Sequence, residues 1–119
     1  MAVQNYTQGG QHLIGATWVF TWTLALNDTG WPVPIDSALG PWLASLVSGV
    51  LGAAGSMKWE GSVDGGTTYF PLNDDTGAAL TMTALNTNKP VKERPTLVRP
   101  NCTAGDGTTS LKCTLVVRK

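Results

Sequence analysis

Catalysis by side chains needs a nucleophile, or an acid and a base tuned to the same proton, and this chain offers few groups of either kind. His12 is its single histidine and stands in no recognisable motif, which makes it a surface or packed side chain rather than a base. The serines fall in turns or glycine-rich segments, and their spacing pairs none of them with that histidine. Glu60 and Glu93 are the only glutamates, so a glycosidase built on two carboxylates would have to recruit an aspartate. Asp64, Asp74, Asp75 and Asp106 all lie in glycine-rich turn sequences, where a carboxylate usually bonds its own backbone. The same aspartates are hard oxygen ligands, but the alternating pattern that closes on a distal glutamate in a calcium loop is missing. No catalytic, cofactor-binding or metal-binding residue is therefore assigned, and the chain is not read as an enzyme.

Cys102 and Cys113 flank Ala104-Gly105-Asp106-Gly107-Thr108. If that segment closes a hairpin, the two thiols face each other across paired strands at a span a disulfide can bridge. In a reducing cytoplasm they are instead two packed free thiols, and both readings stay open. Trp31 and Trp42 stand in turn or proline surroundings, where an indole can remain exposed and serve a protein contact or stack on a sugar. Tyr6, in the polar first segment, and Arg99, beside Pro100, complete the interface candidates. Arg94 and Arg99 suit an acidic neighbour or the covering of a sheet edge.

The segment that organises the elements is Glu60 to Leu72, EGSVDGGTTYFPL. Asp64-Gly65-Gly66 tolerates the positive φ of a tight reversal. The β-branched and aromatic run behind it, Thr67 to Phe70, fits a pleated surface up to Pro71. Upstream, Trp18, Phe20, Trp22, Leu24 and Leu26 alternate with small or β-branched residues, a strand with its large face to a core. Trp31 to Ile35 holds two prolines and reads as an edge or a loop. Leu39 to Gly55 is ambiguous: Leu43, Val47, Val50, Leu51 and Ala54 share a helical face, whereas the glycines from 49 to 55 argue against a helix interior. Asn73 to Gly77 is a further turn before a short strand at Leu80 to Thr83, and Leu85 to Arg94 is a loop or irregular edge. Thr96 to Thr103 and Leu111 to Val117 read as two strands of a closing hairpin. Strands and turns at this spacing predict an all-β fold, an antiparallel β-sandwich or jelly roll. Residues 12–119 form that single domain, and residues 1–11 an extended, flexible arm that orders on a partner.

Bulk properties narrow the partners. Lys plus Arg number 8 and Asp plus Glu number 8, a formal net charge of +0, and charged residues make up 13% of the chain. A nucleic-acid backbone calls for clustered positive charge, so nucleic acid is not expected as a partner. The apolar run Pro41 to Ala54 is too short for a bilayer and is broken by Gly49 and Gly52, so no membrane span is expected. The first ten residues lack the basic start and apolar centre of an export signal, which points to synthesis in a cytoplasm. Five tryptophans on a sparsely charged chain favour a component that ends up against another surface.

The turns also follow a recognisable order: Asp28-Thr29-Gly30 with Pro32 and Pro34, the glycine-rich stretch Gly49 to Gly55, Gly61 to Thr67, Asp75 to Leu80, and Arg99 to Thr109 with its Gly-Asp-Gly-Thr-Thr run. This order resembles that of a family of small virion structural proteins of tailed bacteriophages, of the capsid decoration or cement type. The resemblance implies a β-sandwich, a strand rather than a helix over Leu46 to Leu51 (with a short helical turn allowed near Pro41 to Ser45), and a structural role. It further implies a place on the virion's capsid surface, made in the bacterial host cytoplasm, with the major capsid protein as partner and self-association as a trimer or other symmetric oligomer. A reading from another class is a carbohydrate-binding β-sandwich module, or a tail or neck component used in host adsorption, with Trp31, Trp42 or Tyr69 as stacking platforms.

Overall fold

The computed structural model describes residues 3–11, 17–35 and 42–118. Among them there is no helix, and every strand belongs to one of two sheets. The five-stranded sheet is built on β12 (Ser110–Arg118), which pairs antiparallel along almost its whole length with β3 (Thr17–Leu24) on one side and β6 (Trp42–Val50) on the other. β2 (Thr7–Gln11) flanks β3, and β10 (Thr87–Pro90) flanks β6. Side chains alternate across this sheet as the pleat requires. Phe20, Trp22 and Leu24 of β3, Leu111, Cys113, Leu115 and Val117 of β12, and Leu43 and Val47 of β6 all turn inward and are buried.

The seven-stranded sheet centres on β11 (Leu97–Ala104) and β7 (Ser56–Ser62), antiparallel and in register from Leu97↔Ser62 to Cys102↔Met57, with a bulge before Ala104. β4 (Thr29–Gly30) and β5 (Val33–Pro34) pair with the other edge of β11. β8 (Phe70–Pro71) and β9 (Thr81–Met82) pair with β7, and β1 (Val3–Gln4) runs parallel to β4. Met57, Trp59, Met82, Val98 and Cys102 face inward. The two inner faces meet where Trp22 and Trp59 cross edge to face, centroids 5.8 Å apart at 71°. Gly30 is required at this junction, because a Cβ there would sit 2.5 Å from the Pro100 ring and 2.8 Å from the Trp22 ring.

The expected sandwich is thus the observed architecture, and the hairpin from Lys58 to Leu72 forms about a turn in which Gly65 and Gly66 take positive φ. Three local expectations are corrected. The helical alternative for 42–50 gives way to a strand, including the stretch to Ser45 where a helical turn was allowed; residues 36–41 lie outside the described residues. β12 pairs with β6 along its whole length and β10 with Ala44 to Val47, its one inward polar group is satisfied by Ser45 Oγ donating to the Lys89 carbonyl at 2.9 Å, and Gly49 takes φ 97 near its end. The supposed closing hairpin is a crossing between sheets: β11 and β12 belong to different layers, so Cys102 and Cys113 do not face each other across a pair of strands. Both cysteines are free and buried. Finally, the described part of the first eleven residues is tied to both sheets. Trp31 N–H donates to the Gln4 carbonyl at 2.7 Å, β2 continues the five-stranded sheet, and Tyr6 packs edge-on against Phe20 and Trp22. The apolar content of this segment is small, but Tyr6 covers an otherwise open end of the core.

The two core tryptophans differ in one respect. Trp22 Nε1 donates to the Trp31 carbonyl at 2.9 Å, whereas Trp59 Nε1 is buried with no hydrogen-bond partner among the described residues. Both lose similar volume on replacement by Phe, so Trp59→Phe is expected to be milder than Trp22→Phe by about 1–3 kcal/mol, read from urea unfolding. Equal losses would contradict this account. Burial pushes both cysteine thiols above their ordinary range, and a charge on Cys102 would push Cys113 further. Iodoacetamide at about pH 8 should therefore leave the folded protein unmodified and label both cysteines once urea unfolds it; rapid labelling of the native state would refute the burial.

Candidate functional site

Polar side chains of the seven-stranded sheet gather on its outer face, where the register places Arg99 of β11 directly opposite Glu60 of β7. Arg99 Nε donates to Glu60 Oε1 at 3.0 Å, Asn101 Nδ2 donates to the same oxygen at 3.3 Å, and Lys58 Nζ lies 3.3 Å from Oε2. The guanidinium carbon stands 3.5 Å from the centroid of the Tyr69 ring, a stacked cation–π contact. Tyr69 reaches this position because the loop after β7 folds back over its own strand. Ser62 Oγ accepts from Gly66 N at 3.0 Å and donates to Asp64 Oδ1 at 2.8 Å, and that same carboxylate oxygen accepts from Thr67 N and Thr68 N.

Between this loop and Trp31 runs an open groove of about 490 Å³, floored by Leu97, Arg99 and Asn101 and rimmed by Gly65 and Gly66. Trp31 stands 55% exposed at its wall. Its position is fixed through its backbone, since the chain around it pairs with Gln4 and accepts the Trp22 indole N–H.

A second surface is the outer face of the five-stranded sheet. Register sets Val19, Val116, Ala44 and Pro90 in one row and Thr21, Thr114, Leu46 and Asn88 in the next. Lys112 and Arg118, also outward, are the charges that the described parts of β3, β6 and β12 place on this face, and no carboxylate joins them. Trp42, at 65% exposed, closes one end of it beside a groove of about 400 Å³, with the Arg94 guanidinium 6.0 Å from the ring centroid.

Among the described residues no group of three or more His, Cys, Asp or Glu side chains could hold a metal ion. The turn aspartates are occupied locally. Asp74 Oδ1 accepts from the Thr76 hydroxyl and backbone, and Asp106 Oδ1 does the same with Thr108 while its Oδ2 takes Ala53 N across the sheet ends. Of the interface candidates, Trp31 and Arg99 share the first groove, Trp42 lies at the second surface, and Tyr6 is half-buried in packing. His12 lies outside the described residues. Glu60 as the hub of a charge cluster was not foreseen. Its signal depends on the β7–β11 register, which pairs residues far apart in sequence.

Two facing sheets, with no helix among the described residues, define a β-sandwich of the jelly-roll kind, an architecture that includes cupins. In keeping with this, the chain superposes on the crystal structure of a cupin domain from Bordetella pertussis Tohama I with a TM-score of 0.52, covering 100% of this chain and 98% of that one at 8% identity. At that identity the likeness is one of fold. No protein-family model matches the sequence, and no curated protein does.

The turn carboxylates give this surface a defined acid response. Hydrogen bonds hold Asp64 (chiefly from Thr68 N), Asp74 (chiefly from the Thr76 hydroxyl) and Asp106 (chiefly from the Thr108 hydroxyl) below the ordinary value of 3.8. A carboxyl depressed in the folded state lends stability above its unfolded value, and that stability is lost as pH falls through the folded one. The thermal midpoint should therefore be level down to about pH 5 and drop below about pH 4, and Asp106→Asn should flatten the drop; an unchanged acid slope in that variant would contradict the assignment. Arg99→Ala should cost about 1–3 kcal/mol by stripping partners from a carboxylate that is nearly buried. Chemical denaturation measures that loss, and a change near zero would mean that Lys58 and Asn101 suffice to hold Glu60.

Proposed function

We propose that this protein is a structural subunit of a tailed-bacteriophage virion, a capsid decoration or cement protein that binds the shell of the major capsid protein and stabilises it. The observation that carries the reading is the outer face of β3, β12 and β6. Its rows of largely half-buried valine, alanine, leucine and threonine carry Lys112 and Arg118 but no carboxylate from β3, β6 or β12, and every described strand already belongs to a sheet, so none of those strands is left to cover it. Surfaces of this kind gain from burial against a partner at about 25 cal/mol per Å² of apolar area removed from water. The order of turn motifs supports the same reading, and so does a set of acidic groups spent on turns and ion pairs rather than poised for reaction. Bound across a junction between capsomers, such a face resists their separation by the free energy of its own binding. Trp42 and the basic side chains Arg94, Lys112 and Arg118 would border the contact and favour an acidic rim on the shell.

Purified protein mixed with empty shells of the major capsid protein should co-sediment with them and raise their melting temperature. Leu46→Lys and Val116→Asp, both on the outer face, should abolish co-sedimentation while leaving the far-ultraviolet circular dichroism unchanged. Retention of binding by both variants would exclude this face, and failure of the native protein to bind would overturn the role.

A further inference from the structure

The groove on the opposite sheet is not needed for that contact. We infer that the cleft between Trp31 and the Tyr69 loop binds a neutral oligosaccharide, with a pyranose ring lying on the Trp31 indole and its vicinal hydroxyls meeting Arg99 and Asn101. A sugar ring presents an apolar C–H face and a hydroxyl edge, and it selects sites that pair an exposed aromatic plane with fixed donors and acceptors.

The cleft supplies each part. Trp31 offers the exposed plane on a backbone held by hydrogen bonds at its amide and its carbonyl. Arg99 is immobilised by Glu60 on one side and Tyr69 on the other, using Nε for the carboxylate; among the described residues its terminal nitrogens have no partner. Asn101 spends its amide nitrogen on Glu60 and leaves Oδ1 as an acceptor. Adjacent hydroxyls, one accepting from the guanidinium and one donating to Oδ1, match that pair. Gly65 carries no side chain over the rim, and a Cβ there would meet nothing within 4 Å, so the mouth is open to a chain longer than one sugar.

Charge and backbone argue against other occupants. Glu60 pairs with both Arg99 and Lys58, so the cluster carries one net positive charge rather than two, which reduces the advantage an anionic ligand would have. The floor is the side-chain surface of β11, whose edges are taken by β7 and by β4 and β5, so an extended peptide finds no free ladder to join.

The test uses the intact protein and, as probes, maltohexaose, cellohexaose, chitohexaose and mannohexaose, followed by tryptophan fluorescence and calorimetry. At least one should bind with a dissociation constant of about 1 mM or tighter. Trp31→Ala and Asn101→Ala should each weaken that binding about tenfold or more, while Trp42→Ala leaves it unchanged. Absence of binding by all four at about 10 mM, or equal binding by Trp31→Ala, would overturn the inference. So would a Trp31-dependent dimer in sedimentation, or preference for a proline-rich peptide over every sugar. Shell co-sedimentation of Trp31→Ala separates the two proposals, because loss of sugar binding with retained shell binding touches this one alone.

Discussion

The structure depends on the interlock of two inner sheet faces, centred on the edge-to-face contact of Trp22 with Trp59. β12 fixes one layer, since each of its inward residues, from Leu111 to Val117, is flanked on both sides by a paired strand. β11 and β7 fix the other. With a pleat period of two, a one-residue slip of either layer would move its apolar set to solvent. Gly30, pressed against Pro100 and Trp22, shows how little room the junction leaves.

Because the interior is settled by alternate residues, the outward set is free to differ between the layers. On one sheet it is mainly apolar or hydroxylic, with Lys112 and Arg118 as its charges and no carboxylate from β3, β6 or β12. On the other it gathers Lys58, Glu60, Arg99 and Asn101 into one connected cluster under Tyr69. This asymmetry underlies both proposals: a broad apolar face suits a large, flat partner, and a cleft with an aromatic wall and fixed polar groups suits a small one. The loops serve mainly to hold these surfaces still. Asp64, Asp74 and Asp106 each close their turn with their own carboxylate, and Glu93 grips Asn73 through two bonds of 2.7 Å.

The sequence made the layered β-fold legible wherever one strand carried its own signal. Phe20, Trp22 and Leu24 alternate too cleanly for another reading, and Asp64-Gly65-Gly66 admits few alternatives to a reversal. Legibility failed where the answer lay in a distant partner. Leu43, Val47 and Leu51 satisfy a helical period as well as a strand period, and only β10 and β12 decide between them. The Gly105 to Thr108 turn looks like a hairpin because turn chemistry is the same whether the chain re-pairs with its neighbour or crosses to the other layer. Tyr6 looked like part of a free arm because the surface it covers is assembled from β3. At the candidate site, Trp31 and Arg99 were visible as types, but their meeting in one groove, with Glu60 as the anchor, follows from the pairing of β11 with β7 and β4.

The central claim is that the protein acts through its outer surfaces, and above all through the apolar face of the five-stranded sheet. Electron density for intact tailed-phage particles that, on the proposal, carry this protein tests this most directly. The account predicts the two-layered domain seated on the shell with Leu46 and Val116 turned toward the major capsid protein. Particles that lack the domain, or that carry it with that face open to solvent, would contradict it.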